Sequence, residues 1–175
     1  MGGGTAILFR VQHPERVGKL LLVDVAGLPN SLPLTAKFFN LPHVGEFFLG
    51  LSTDVIRIQG LRQSFIHDRN RITGSYFENV TRFHKIKGTT EVLMSITRRQ
   101  FFDKLGDAID LLSRMDTPVL IVWGRDDKAI PLQRGIEMHR ILNGSRLEIL
   151  DDAGHVPNFE RADEFNQLAV DFLRG

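Results

Sequence analysis

The sequence predicts an α/β protein with a parallel sheet, and three observations carry that prediction. Two near-continuous apolar runs, Lys19–Asp24 (KLLLVD) and Thr117–Gly124 (TPVLIVWG), have the character of strands covered on both faces. A shorter run, Ser145–Leu150, follows the same design. Segments with helical spacing of apolar residues lie before, between and after these runs, and strands alternating with helices build a parallel sheet.

Taken in order, Thr5–Gln12 reads as a short, largely buried helix, with Ala6, Ile7, Leu8, Phe9 and Val11 apolar and Pro14 ending it. The Lys19–Asp24 strand follows and stops before Gly27. After the Thr117–Gly124 strand, Pro131–Leu142 predicts a helix with proline in its first turn and Asn143-Gly144 as its stop. The last helix, Ala162–Leu173, sets Phe165, Leu168, Ala169, Phe172 and Leu173 on one face.

Residues 30–115 break this alternation. They contain no buried-strand run, yet hold nine of the 13 phenylalanines, all between Phe38 and Phe102. This segment reads as an inserted, mostly helical cap between a core segment at 1–29 and another at 116–175. The charge-rich run from Arg62 to Arg82 reads as a solvated face and loop.

Composition narrows the function. The 42% apolar and 25% charged residues are those of an ordinary globular chain, 175 residues long and able to bury a real core. A formal charge of +1 offers no footprint for nucleic acid or an anionic membrane. The absence of cysteine excludes disulfides, thiol nucleophiles and thiolate metal sites. No run approaches the ~20 apolar residues of a membrane span, and glycines occupy the place of a signal peptide. The cytoplasm is the expected compartment. His13, His43, His67, His84 and His139 show no ligand spacing, so neither a metal nor a cofactor is expected.

Two stretches carry candidate chemistry. Trp123-Gly-Arg-Asp-Asp-Lys-Ala-Ile-Pro131 follows the second strand, and Asp151-Asp-Ala-Gly-His-Val-Pro157 follows the third. Both lie where a parallel strand's carboxyl end becomes a loop, the location of sites in open α/β sheets. An acid on one loop and a histidine on the next can meet above the sheet. The carboxylate would accept the imidazole Nδ1–H and leave Nε2 free as a base. Taken singly, an Asp-Asp pair is also a helix cap, and a Gly-His is also a turn.

The order W-G-x-x-D-x-x-x-P, then G-H, then A-D-E-F-N resembles the C-terminal part of an α/β-hydrolase, and HPERVGKLLLVDVAG resembles the segment after that family's nucleophile elbow. The likeness covers 1–27 and 117–175, about half the chain. It implies Asp127 as the catalytic acid, because Asp127 sits 28 residues before His155 and in the W-G-x-x-D register; Asp126 is the neighbour that could be confused with it. It implies His155 as the base. The family's elbow, G-x-S-x-G, often reads S-M-G-G, and this chain begins M-G-G. On that reading Met1 and Gly2 are the last two positions of the elbow, Met1 is the family's oxyanion donor, and the serine belongs immediately before Met1. None of Ser31, Ser52, Ser64, Ser75, Ser95, Ser113 or Ser145 has an elbow context. The chain alone is then expected to be inactive.

Met-Gly after the nucleophile fits the serine branch better than the aspartate branch, which usually has Trp-Gly there. The resemblance implies a serine hydrolase acting on an ester or a C–C bond of a small apolar carbonyl substrate. WGRDD…PL…ADEFN is most similar to the meta-cleavage-product hydrolases, though Val156 stands where many of those have tryptophan. Their substrate carboxylate meets a cap arginine, here Arg98, Arg99 or another. Phe38, Phe39, Phe101 and Phe102, with Val156, are candidates for an apolar substrate pocket, although packing of the cap onto the core is the plainer reading of any single phenylalanine.

The alternative is a non-catalytic binding or scaffold protein that keeps the hydrolase half-fold. Either way, the Lys19–Val25 strand is expected to leave one ladder edge unpaired. A complementary N-terminal chain or self-association is the partner expected there.

Overall fold

The computed structural model describes residues 1–29, 34–51, 53–100 and 104–175. Three strands form one parallel sheet in the order β1-β2-β3: β1 (Leu20–Val23), β2 (Val119–Gly124) and β3 (Arg146–Leu150). The register sets Leu20 opposite Val119 and Leu120 opposite Arg146. β2 is buried along its whole length because it has neighbours on both sides and helices on both faces. β1 is less covered than its apolar run suggests: Leu20 and Leu22 are buried, whereas Leu21 and Val23 are only partly so.

The period-two alternation of β2 divides the core. Val119, Ile121 and Trp123 face one layer with Leu20 and Leu22, and that layer is closed by α1 (Gly2–Gln12), α7 (Gly106–Ser113) and α8 (Leu132–Ile141) through Ile7, Ile109, Leu112 and Met138. Leu120 and Val122 face the other, where α10 (Ala162–Arg174) lays Phe165, Leu168 and Phe172 against them. Trp123 is fully buried; its Nε1–H donates to the Ile130 carbonyl at 3.1 Å, and its ring lies where a Cβ on Gly135 would come within 2.5 Å. Lys19 Nζ donates to the carbonyls of Phe172 and Leu173, fixing the last turn of α10 and placing a cation at its negative end.

The described part of the middle segment is helical: α2 (Leu34–Phe39), α3 (Val44–Gly50), α4 (Asp54–Gly60), a π turn (Leu61–Phe65), α5 (Gly74–Thr81) and α6 (Thr89–Arg98) precede α7. Although α7 lies within the 30–115 stretch, its Ala108, Ile109 and Leu112 belong to the main core. Phe38, Phe39, Phe47 and Phe48 touch edge to face and remain substantially exposed. Phe101 and Phe102 lie outside the described residues.

Two local expectations shift. α1 starts at Gly2 rather than Thr5, because packing outweighs glycine's poor helix propensity: Gly3 presses so closely on Val25 that a Cβ would fall 2.3 Å from Val25 Cγ2. Pro131 is the residue before α8 rather than its first, since its ψ of 141° is extended. No described helix is long and apolar enough to cross a membrane.

Candidate active site

Asp127 and His155 meet above the carboxyl ends of β2 and β3. His155 Nδ1 lies 2.8 Å from Asp127 Oδ2, and the Asp127 side chain is wholly buried while that of His155 is 23% exposed. The other oxygen, Asp127 Oδ1, accepts the backbone N–H groups of Ala129 at 2.8 Å and Ile130 at 2.9 Å. An ionised carboxylate only accepts hydrogen bonds, so this arrangement assigns the imidazole proton to Nδ1 and leaves a lone pair on Nε2. Asp126 is separate: its carboxylate meets His67 Nδ1 at 3.1 Å and is partly exposed.

The two loops approach because small residues line both. A Cβ on Gly124 would sit 2.0 Å from the Gly154 carbonyl oxygen and 2.6 Å from that of Ala153, so only glycine lets β2 pass under the histidine loop. The backbone locks them together through Asp126 N–H to Ala153 O and Arg125 N–H to Leu150 O, both 2.9 Å.

Three groups that sequence reasoning missed complete the site. Asp24, at the end of β1, is buried with a left-handed φ of 41°; its Oδ1 accepts Gly124 N–H at 3.0 Å, and among the described residues Oδ2 has no hydrogen-bond partner. Burial pushes its carboxyl up to about 8, with the carboxylates of Asp127 and Glu160 adding to the rise. Donor atoms of Asp24, Asp127 and His155 lie within 4.8 Å of one another, a spacing a cation could use. Both oxygens of Asp127 are already engaged by protein donors, which makes this a hydrogen-bonded pair with a third carboxyl behind it. Glu160, also buried, accepts three backbone N–H groups. Phe65 meets the His155 ring edge to face, with the ring centroids 5.3 Å apart.

Other candidates take definite places. Met1 is exposed and precedes α1; with Phe83, Ile86, Val92, Leu93 and Ile96 it lines an apolar cleft of about 430 Å³. A Cβ on Gly2 would meet nothing within 4 Å, so the glycine that packs tightly is Gly3. Val156 is half-buried at the start of α9 (Pro157–Glu160). Arg98 is committed to structure: it forks onto both oxygens of Glu46, with Nη2 2.6 Å from Oε2, and donates to the carbonyls of Asn40 and Leu41. Its guanidinium holds the Glu46 carboxyl down at about 2. Arg99 is exposed. Among the described residues no serine hydroxyl is bonded to His155; Ser145 instead meets His139 Nδ1 at 2.8 Å, at the amino end of β3.

A buried acid and a histidine on the loops after adjacent parallel strands, with helices on both sheet faces, define a hydrolase-type α/β core. The sequence signature of the alpha/beta hydrolase family matches residues 1–168, and the chain belongs to that family.

Within it, the chain is 31% identical over 179 residues to the 2-hydroxy-6-oxo-6-phenylhexa-2,4-dienoate hydrolase of Comamonas testosteroni. It is 27% identical over 175 residues to a 2-hydroxy-6-oxononadienedioate/2-hydroxy-6-oxononatrienedioate hydrolase of the same organism. Each alignment covers 99% of this chain and 60% of the relative, so the chain spans about three fifths of the curated relatives it matches. Among solved structures, a meta-cleavage product hydrolase from Pseudomonas fluorescens superposes with a TM-score of 0.77 at 23% identity, covering 98% of this chain and 61% of that one. A thermophilic esterase from Thermogutta terrifontis gives 0.71 at 20%, covering 99% and 61%. The fold is common to both chemistries.

Proposed function

We propose that this chain supplies the acid and the base of a serine hydrolase that cleaves a bond next to a carbonyl carbon in a small apolar substrate. One observation carries the reading: a buried carboxylate, fixed by two backbone amides, orients a partly exposed imidazole through Nδ1. His155 Nε2 takes the proton of a serine Oγ as that oxygen attacks the carbonyl, then returns it to the departing group. Water, activated by the same nitrogen, frees the acyl-enzyme. The alcohol comes from a segment before α1, the part of the fold outside the three fifths that this chain spans. Met1, beside that segment, is the oxyanion donor when it has an amide N–H rather than a free terminus.

The favoured substrate class is an unsaturated oxo-acid cleaved at a C–C bond. The identity with 6-oxo-dienoate hydrolases supports it, since a conjugated acid can take the departing electron pair into its π-system. An ester is the second class, supported by the esterase likeness. The cleft beside Met1 is apolar and suits the hydrocarbon part of either substrate. The edge of β1 is the docking line for the completing segment, because among the described residues β1 pairs only with β2.

The test restores the upstream segment and treats the protein with a fluorophosphonate probe, a 6-oxo-dienoate and a short aryl ester. Labelling that disappears in His155→Ala, with unchanged circular dichroism, is expected. An upstream segment with no G-x-S before Met1, or labelling indifferent to His155, removes the reading in favour of a non-catalytic scaffold.

A further inference from the structure

The helical segment meets the histidine loop directly. Residues Phe65–Asp68 run as a strap across the loop that carries His155. The His155 N–H donates to the Phe65 carbonyl at 2.8 Å, and Ile66, which is buried, closes the π turn by donating to Leu61 O. The approach is tight enough that a Cβ on Gly154 would fall 2.6 Å from Phe65 O.

Glu160 holds this junction from below. It ends the single turn α9, five residues after the histidine, and its carboxylate turns back toward the loop. Oε1 accepts His67 N–H at 2.7 Å and Asp68 N–H at 3.0 Å; Oε2 accepts Gly154 N–H at 2.7 Å. Among the described residues it forms no ion pair, and it is 2% exposed. A buried carboxylate neutralised by three backbone amides from two loops is a clamp. Glutamine cannot replace it in kind: it has one acceptor oxygen, and its NH2 would face an N–H.

We propose that Glu160 is a positioning residue that ties the strap Phe65–Asp68 to the histidine loop, so that the orientation of the His155 imidazole depends on how the helical segment is seated. Substrate binding under the helices is thereby coupled to the aim of the base. This rests on His155 being the base.

The test is nuclear magnetic resonance on the isotopically labelled chain. Two readouts are followed: amide exchange at His67, Asp68 and Gly154, and the low-field resonance of the His155 Nδ1–H, assigned by its loss in Asp127→Asn. In Glu160→Gln the three amides are expected to exchange at least about tenfold faster, and the Nδ1–H resonance to shift or broaden. Faster exchange with an unmoved resonance makes Glu160 a brace only and overturns the proposal, as does no change in either. Should Glu160→Gln not fold, Glu160→Asp decides: it keeps the carboxylate but withdraws it by one methylene, and leaves the Phe65 ring in place beside His155. A shifted His155 resonance supports the coupling, and an unshifted one overturns it. Lack of an Asp127-dependent resonance in the unaltered chain removes the hydrolase reading and this proposal together, whereas failure at Glu160 alone leaves the hydrolase reading intact.

Discussion

Asp24 Oδ1 accepts the Gly124 N–H at 3.0 Å, one strand end gripping the next, while Asp24 Oδ2 is buried with no hydrogen-bond partner among the described residues. This carboxyl therefore folds most readily in its protonated form. Its native pKa of about 8 is above the ordinary 3.8, so its stabilising contribution is complete below about pH 4 and fades as pH rises through 8. The unaltered chain should lose a few kcal/mol across that window on this account. Asp24→Asn, which cannot ionise, should flatten the decline. Urea midpoints at pH 5 and 8.5 measure it, and an equal decline in both proteins would contradict the assignment.

Asp127→Asn should reverse the imidazole tautomer. An amide NH2 donating to Nδ1 puts the proton on Nε2, where a base needs a lone pair. In the complete hydrolase kcat/KM is expected to drop by about 10⁴-fold with little change in KM. Burst kinetics on an activated ester would show it, and a loss under tenfold would mean that Asp127 does not set the tautomer.

Gly124→Ala should be severe, since the obstructing atoms are backbone carbonyls that cannot swing aside. About 3 kcal/mol or more should be lost. Gly2→Ala, with open space around the new methyl, is expected to change stability by less than about 1 kcal/mol. Chemical denaturation of the pair measures the contrast, which fails if the two substitutions cost alike.

The edge of β1 left unpaired among the described residues should make the chain self-associate or bind a separately produced upstream segment. Sedimentation velocity is the direct measurement. A monodisperse monomer that unfolds cooperatively and ignores the added segment would dispose of this expectation.

The strands were legible because a buried parallel strand needs unbroken apolar residues, as in Pro118–Trp123. The pair Asp127–His155 was legible because both side chains leave strand ends whose order the chain dictates. Asp24 was read merely as the end of a strand, since nothing local marks a carboxyl that will lose its water. Glu160 was hidden for another reason: its partners His67 and Asp68 lie 93 and 92 residues away, and such pairing leaves no periodic trace. Arg98 looked available for a substrate carboxylate, yet Glu46, 52 residues earlier, already holds it. The helical character of the described residues between 34 and 113 followed from the missing strand signals, but the inclusion of α7 in the main core did not, because its apolar face resembles that of any amphipathic helix.

Trp123 is the chain's single tryptophan, and it sits four residues before the acid with its indole clasped by the Ile130 carbonyl. The protein thus has a built-in optical probe beside the Asp127–His155 pair. Ultraviolet emission should be blue and shielded from quenchers while the Asp127 loop is closed, and should redden when that loop opens, with no dye attached.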